Sequence, residues 1–361
     1  MTMRLEALEA IPYSLPFREP YVTARGELRE RRLLLVRVRG DGLTGLGETT
    51  ALSLRGGATL EEIANELREV CWPALAEAPF DPGRIWSAIA RCRGRGVSAQ
   101  ALAAVDIALH DLAGKAAATP VWRLLGAASA EPVLCNATLP VANPTRFRSL
   151  VERWAADGFG TFKLKVGLPG EMAMVASARQ ILGPDARLRL DANGAWSVED
   201  GAERLRLMAR ETIELAEEPV AGLRAMAQLR PRTRIPLAAD ESIVTARDAR
   251  EATELQACSL AAVKLAKVGG IGTALEIAAE IPVYLSSALE GPVGIAAAAH
   301  VVQALPKASG ILDLAHGLAT ERLFSASIGA GPIAERDRLH LGDRPGLGVA
   351  IDEDALAARR L

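Results

Sequence analysis

Cysteine is scarce in this chain and scattered where it occurs. Cys71, Cys92, Cys135 and Cys258 are the four cysteines in 361 residues, and no close pair is spaced to bind a metal. Such sparse use fits a reducing cytosol, in which each thiol serves as a small apolar residue. Histidine is equally thin, and His110, His300, His316 and His340 form no ligand spacing. Charge of one sign is lacking too. The 42 basic and 44 acidic residues nearly cancel, which leaves no electrostatic footprint for nucleic acid or an anionic membrane. The short basic cluster Arg91, Arg93 and Arg95 reads as a solvated loop. No apolar run is long enough to span a bilayer. The most apolar stretch, Gly294 to Leu305, is interrupted by His300 and Gln303 and reads as a packed helix. The segment Met1 to Phe17 carries Arg4, Glu6 and Glu9 and lacks the apolar centre of a signal peptide. These absences point to a cytoplasmic protein whose partner is a small molecule.

Half the residues are apolar, ample for a large core in two domains or one big α/β domain. From Met3 to Thr49 the pattern is strand-like. Leu33–Val38 is a buried run, Gly40-Asp41-Gly42 a turn, and Leu43–Gly47 the returning partner. Thr59-Leu60-Glu61-Glu62 is a capped helix start, and Ser98–Ala118 reads as a long amphipathic helix. Residues 1–125 are thus expected to form an α+β domain, with polar loops at 18–26 and 53–57.

After Gly126 short β-rich runs alternate with helical patterns. The strands are expected at Val133–Leu139, Thr161–Val166, Arg187–Asp191, Ile213–Glu217, Ile235–Asp240, Ala262–Leu265, Val283–Ser286 and Ile311–Leu314. Seven or eight strand-helix units predict an α/β fold of (β/α)8 type, a modified TIM barrel, over 126–320. A doubly wound sheet is disfavoured because no Gly-x-Gly-x-x-Gly follows the first strand. Residues 321–361 are glycine-rich and irregular and are expected to wrap back onto the first domain.

In such a barrel, chemistry sits at the C-terminal strand ends. Those ends read Lys165, Asp191, Glu217, Asp240, Lys264 and Ser286. Lys163 and Lys165 share a strand face, so mutual repulsion and desolvation would leave one of them partly neutral. The alternative is a solvated lysine pair on an edge strand. Three carboxylates from consecutive strands would repel unless a cation sat among them, and hard oxygen donors suit Mg²⁺. Each acid taken singly reads equally well as the cap of its following helix. Alternation turns Glu218 away from the Glu217 face. Lys267 competes with Lys264 but falls in a glycine turn and is expected to be exposed. Arg189 shares parity with Asp191, so it faces the interior and needs an acidic partner that the sequence does not identify.

Lys163-Leu164-Lys165, Asp191-Ala192-Asn193, Glu217-Glu218-Pro219, Ala239-Asp240-Glu241-Ser242 and Val263-Lys264-Leu265 together resemble the muconate-lactonizing branch of the enolase superfamily. The likeness extends to Ala104–Leu109 and Gly114-Lys115. It implies an enzyme that removes the proton α to a carboxylate and forms an enediolate. Lys165 would be the base, Asp191, Glu217 and Asp240 the ligands of Mg²⁺ (Mn²⁺ as a substitute), and Lys264 the opposite-face lysine. Lys163 would tune Lys165. Relatives of this kind are often oligomers, so a homo-oligomer is expected.

The branch performs cycloisomerisation, racemisation, epimerisation and dehydration on one scaffold. Its dipeptide epimerases carry Asp-x-Asp after the last strand, whereas this chain has Asp313-Leu314-Ala315. Softer stretches, Arg18-Glu19-Pro20, Cys135–Pro140, Ser286–Glu290 and His316-Gly317-Leu318, are similar to the o-succinylbenzoate synthases, dehydratases of menaquinone synthesis. That likeness implies a lyase, with N-succinylamino acid racemisation, dipeptide epimerisation or muconate-type cycloisomerisation as the alternative and a non-catalytic barrel protein as a remote one. It also implies substrate contacts from Arg18, Asn193, Ser286, Ser287 and Glu290.

Overall fold

Three long strands, β1 (Leu5–Thr23), β2 (Gly26–Gly40) and β3 (Leu43–Thr50), form an antiparallel sheet at the N-terminus. The computed structural model describes residues 2–23, 26–52, 57–306 and 314–361. Asp41 and Gly42 both take positive φ, which is the backbone a two-residue hairpin turn requires. Alternation then divides β2 between two cores. Leu34, Val36 and Val38 pack with Ile63, Leu67 and Leu109 of the local helices, whereas Leu33 and Leu35 join Tyr13 and Leu15 against the barrel. Burial on both faces explains why Leu33–Val36 is continuously apolar.

The helix Ala99–Ala116 departs from expectation. It is buried from Gln100 to Gly114 rather than amphipathic, because it lies between β3 and the barrel. Gly47 makes the close approach feasible, since a Cβ there would fall 2.0 Å from the carbonyl oxygen of Ala104.

The barrel is a parallel sheet in the order β5 (Ala137–Leu139), β6 (Thr161–Lys165), β7 (Arg187–Asp191), β8 (Ile213–Glu217), β9 (Leu237–Ala239), β10 (Leu260–Val263) and β11 (Val283–Leu285). The first expected strand is split. Its start, β4 (Val133–Leu134), pairs antiparallel with Arg338–Leu339 instead. The eighth position is filled by His316 and Gly317. Gly317 N–H donates to Leu285 at 2.8 Å and Asn136 N–H donates to His316 at 2.9 Å, so one short segment bonds both edges and closes the ring. Of the strand expected at Ile311–Leu314, residues 311–313 lie outside the described residues, as does Asp313. The final residues return to the N-terminal sheet, where Ser14 N–H donates to Arg359 and Leu361 N–H to Pro12, both at 3.0 Å. All four cysteines are free and buried, and no described helix is long and apolar enough to cross a membrane.

Glu48 fastens the sheet to the barrel. Its barrel-facing side chain accepts a hydrogen bond from the Tyr13 hydroxyl. It also accepts one from the Gly294 N–H at 2.8 Å, in the first turn of the barrel helix Pro292–Ala304. Burial pushes this carboxyl up to about 7, against the opposing effect of those two donors. A raised native value means that the folded state binds the proton more tightly than the unfolded chain does. Its contribution is therefore full below the ordinary value of 4.5 and is lost as pH rises towards 7. Urea unfolding of the wild type from pH 5 to 8 should show stability falling with pH, and Glu48→Gln should make that slope shallower. An unchanged slope would mean that Glu48 does not carry it.

Candidate active site

Each acid of the strand-end series is fixed by backbone alternation, and each is at most 1% exposed. The register sets Lys165 opposite Asp191 and Asp191 opposite Glu217, so the chain advances one acid per strand around the mouth. The helix-capping alternative does not hold. Ser197 caps the helix after β7 and Thr245 the helix after β9, while the helix after β8 has no side-chain cap. The acids are thereby left for one another and for the lysines.

Lys163 Nζ lies 2.8 Å from Asp191 Oδ2 and 2.5 Å from Glu217 Oε2. Lys165 donates to the same Asp191 oxygen at 2.6 Å and to Asn193 Oδ1 at 3.1 Å. Lys264, just past β10, donates to Asp240 Oδ2, and the Tyr284 hydroxyl donates to Glu217 Oε2 at 2.6 Å. Burial alone would raise the Asp191 carboxyl, but the ammonium groups of Lys163, Lys165 and Lys264 outweigh it and hold it below the usual range. Glu217 goes the other way, raised by burial and then by the like charge of Asp191. Lys163 is not a neutral member of the lysine pair. Burial works against its charge, yet Asp191 and Glu217 raise it well above an ordinary lysine. The sequence argument weighed the neighbouring lysine and omitted the acids across the sheet.

Lys267 corrects another expectation. It is 7% exposed, and its ammonium donates to the backbone carbonyl of Asp240 and, at 2.9 Å, to Asp240 Oδ1. The cause is a helical turn, Leu265–Val268, ended by Gly269 and Gly270 in positive φ, which folds Lys267 back under the strand end. Burial, and then Lys264, lower its pKa.

Glu218 turns away from the site as alternation requires. It takes positive φ and accepts hydrogen bonds from Asp240 N–H at 2.7 Å and from the Ser242 hydroxyl, bracing the neighbouring strand end. The partner of Arg189 is Glu214, at 2.5 Å, with the Ala315 carbonyl at 2.6 Å and the Tyr284 ring 5.0 Å from the guanidinium. Parity concealed this pair. The β7–β8 register slips between Leu188 and Arg189 and skips Glu214.

The pocket above the acids has a volume of 100 Å³, and its lining includes Lys163, Lys165, Lys264, Asn193, Ser286 and Ser287. Arg31, which sequence reasoning passed over, lines it too, as do Tyr21 of the expected 18–26 loop and Thr138 of the Cys135–Pro140 stretch. Glu290 does not line it but accepts from the Ser287 hydroxyl and the Ala288 N–H, both at 2.6 Å, and so braces the loop. Arg18 stands apart. Its Nε donates to the Arg322 carbonyl at 3.2 Å in a separate groove of 560 Å³ that none of the strand-end acids or lysines lines. Residues 24–25 and 53–56 of the two expected loops lie outside the described residues.

Among the described residues, no three His, Cys, Asp or Glu side chains converge as a ready metal cage, and ammonium groups lie among the acids instead. The donor chemistry nevertheless fits a hard divalent cation. Asp191, Glu217 and Asp240 offer oxygen alone, and Glu217 Oε1 is buried with no hydrogen-bond partner. Such an orphan acceptor is costly unless a cation or water satisfies it.

A parallel barrel with acids on three consecutive strand ends and lysines on both flanks defines an enolase-type barrel. Comparison with known families agrees. Residues 9–126 match the mandelate racemase / muconate lactonizing enzyme N-terminal domain, and residues 146–355 match the enolase C-terminal domain-like family. The chain belongs to the mandelate racemase / muconate lactonizing enzyme group of the enolase superfamily. It is 29% identical over 366 residues to the N-succinyl-L-Arg/Lys racemase of Bacillus cereus, covering 98% of this chain and 97% of that one. An o-succinylbenzoate synthase of Thermobifida fusca is 37% identical over 210 residues, but the match spans 56% of this chain and 64% of the relative. Among solved structures, the muconate lactonizing enzyme of Pseudomonas fluorescens, complexed with muconolactone, superposes with a TM-score of 0.93 at 29% identity over the whole of both chains. A dipeptide epimerase of Enterococcus faecalis, complexed with Mg and L-Leu-L-Tyr, gives 0.89 at 28% identity, covering 97% of this chain and all of that one.

Glu214→Ala would leave the Arg189 guanidinium buried without its carboxylate and should cost about 3–5 kcal/mol. Urea unfolding would measure it, and adding Arg189→Met should restore part of the loss. No recovery would show that the pair is not the source.

Proposed function

We propose that the protein abstracts the proton α to a carboxylate and returns it on the other face, the 1,1-proton transfer of a racemase or epimerase, on an N-acylated amino acid. The observation that carries this reading is the placement of Lys165 and Lys264 in one pocket, from strands on either side of the three acids. A reaction that inverts a carbon needs a proton-bearing group on each face, and two lysines so placed supply both.

Asp191, Glu217 and Asp240 are the residues that would hold the metal. When bound, Mg²⁺, or Mn²⁺ in its place, supplies positive charge to the substrate carboxylate and so acidifies the adjacent C–H. The chain does the rest. Lys165, oriented by Asp191 and Asn193, takes or gives the proton on one face. Lys264, oriented by Asp240, does so on the other. Lys163 ties Asp191 to Glu217 and adds fixed positive charge beside Lys165. Lys267 holds the Asp240 carbonyl and carboxylate in place.

A second reading, dehydration to o-succinylbenzoate, is favoured by the 37% identity to the Thermobifida fusca synthase. In it Lys165 would take the proton and assist departure of the hydroxyl, while Lys264 would stabilise charge from the opposite face. Deuterium exchange separates the two. In ²H₂O with Mg²⁺, the wild type should label Cα of both enantiomers of an N-succinylamino acid. Lys165→Ala and Lys264→Ala should each abolish exchange of one enantiomer, by about 10²- to 10⁴-fold, and EDTA should abolish all of it. Aromatic product from 2-succinyl-6-hydroxy-2,4-cyclohexadiene-1-carboxylate, without exchange at Cα, would replace the first reading by the second.

A further inference from the structure

Leu102, Asp106 and His110 recur four residues apart in the helix Ala99–Ala116 and share one of its faces. Packing alone gives no reason for a carboxylate there. Asp106 is 1% exposed in an alanine-rich run, where an apolar side chain would avoid the cost of desolvation. Its partner is the turn that begins at Lys264. Gly269 and Gly270 lie directly on this helix face. A Cβ on Gly269 would fall 3.3 Å from Leu102, and one on Gly270 would fall 2.1 Å from Asp106 Oδ2. That same oxygen accepts from the Gly272 N–H at 3.1 Å. Gly272 is in the first turn of the helix Ile271–Glu280, which has glycine at its N-cap and no side-chain cap of its own. Asp106 thus supplies, from the cap, the carboxylate that this barrel helix lacks at the positive end of its dipole.

The carboxylate is itself held. His110 Nδ1 lies 2.6 Å from Asp106 Oδ1. Burial disfavours charge on that imidazole, but Asp106 outweighs it and raises the pKa. The Trp86 ring meets His110 edge-on at 5.3 Å and lies against Gly272, where a Cβ would fall 1.8 Å from it. From Gly270 back to Lys264 the chain is one hydrogen-bonded piece. The Lys264 carbonyl accepts from Lys267 N–H at 2.9 Å and Val268 N–H at 3.1 Å, and the Leu265 carbonyl from Gly269 N–H at 3.1 Å and Gly270 N–H at 3.0 Å. Lys165 is anchored differently, by Asp191 and Asn193 of the barrel.

We propose that Asp106 is a positioning residue for Lys264: by holding the turn 264–272 against the cap, it fixes where the Lys264 ammonium stands in the pocket. The inference deepens the reading above that Lys264 serves one face of the substrate, and it rests on that reading for its effect on turnover. Asp106 touches no substrate and transfers no proton. Through it, one lysine of the pair depends on the docking of the cap, whereas the other is set by barrel residues.

Amide hydrogen exchange of the Mg²⁺-loaded protein, read by mass spectrometry, tests the placement without turnover. Asp106→Ala should speed exchange across residues 264–272 by at least about tenfold, the range of one hydrogen bond to a charged group, and leave residues 161–167 within about twofold of wild type. Turnover gives the second measurement, as Cα deuteration of the two enantiomers of an N-succinylamino acid. The same variant should slow the enantiomer that Lys264→Ala silences at least about tenfold more than the one that Lys165→Ala silences. A merely structural loss would slow both alike. Asp106→Asn, which keeps an acceptor for the Gly272 N–H, should shift both measurements in the same direction by less, and it decides the matter if the alanine variant does not fold. Unchanged exchange over 264–272, a rise spread evenly over the barrel, or equal slowing of both enantiomers would each overturn the inference. Selective loosening of the turn, together with no Cα deuteration by the wild type, would sink the proton-transfer reading and leave the placement of the turn by Asp106 standing.

Discussion

Three carboxylates buried at neighbouring strand ends set the terms for this structure. Like charges at that spacing in a medium of low effective dielectric cannot coexist without cations between them. Lys163 bridges Asp191 and Glu217, Lys165 shares Asp191, and Lys264 and Lys267 hold Asp240. The arrangement resembles a small ionic lattice more than a set of separate pairs, since removing any member exposes its neighbours to uncompensated charge. Glu217, the central acid, feels this most. It has an acid on both sides, and its Oε1 has no hydrogen-bond partner. The lattice is therefore one acceptor short of satisfaction at its middle, where a divalent cation would have most effect.

Much of the barrel serves to hold that lattice in register. Below it, Tyr284 links two layers. Its hydroxyl donates to Glu217 and its ring faces Arg189, which in turn is held by Glu214 and the Ala315 carbonyl. Leu215, Ala238, Leu260 and Ala262 fill the space around the ring. The interior is thus apolar only in part, and its polar members are connected. The cap depends on the barrel as well. Glu48 reaches from β3 to the start of the barrel helix Pro292–Ala304, and Asp106 of the long cap helix accepts from Gly272 N–H at 3.1 Å, next to the turn that carries Lys267.

The strand ends were legible because two rules act together there. Alternation gives the face, and the chain's direction through a parallel barrel gives the end, so Asp191, Glu217, Asp240, Lys165 and Lys264 could be named from position alone. What escaped lay where a local irregularity broke those rules. Glu214 pairs with Arg189 only because the register slips beside it. Lys267 is buried because two glycines in positive φ fold its turn inward, whereas a glycine turn in sequence suggests exposure. The charge state of Lys163 depends on acids contributed by other strands, which a single-strand argument does not include. Arg18 looked like a loop contact, but β1 runs on through it and carries it to a different groove. Arg31 was readable in principle, as the polar end of an alternating apolar row, though nothing in its local sequence distinguishes it from Arg32.

This division has a consequence for how specificity and chemistry relate. The acids and lysines come from barrel strands, where the register between neighbours fixes each to its partner, and a change in one disturbs the rest. The residues that would meet the far end of a substrate come from elsewhere. Tyr21, Leu28, Arg31 and Leu52 belong to the cap strands and their edges, and Ser286–Leu289 to the loop after β11. The cap meets the barrel through largely apolar packing, with Glu48 as a point of attachment away from the pocket wall. A substitution at the cap wall can therefore alter which acyl group is accepted while the ionic lattice keeps its geometry. That separation accounts physically for the range of reactions among the relatives, from racemase to cycloisomerase, on backbones that superpose so closely.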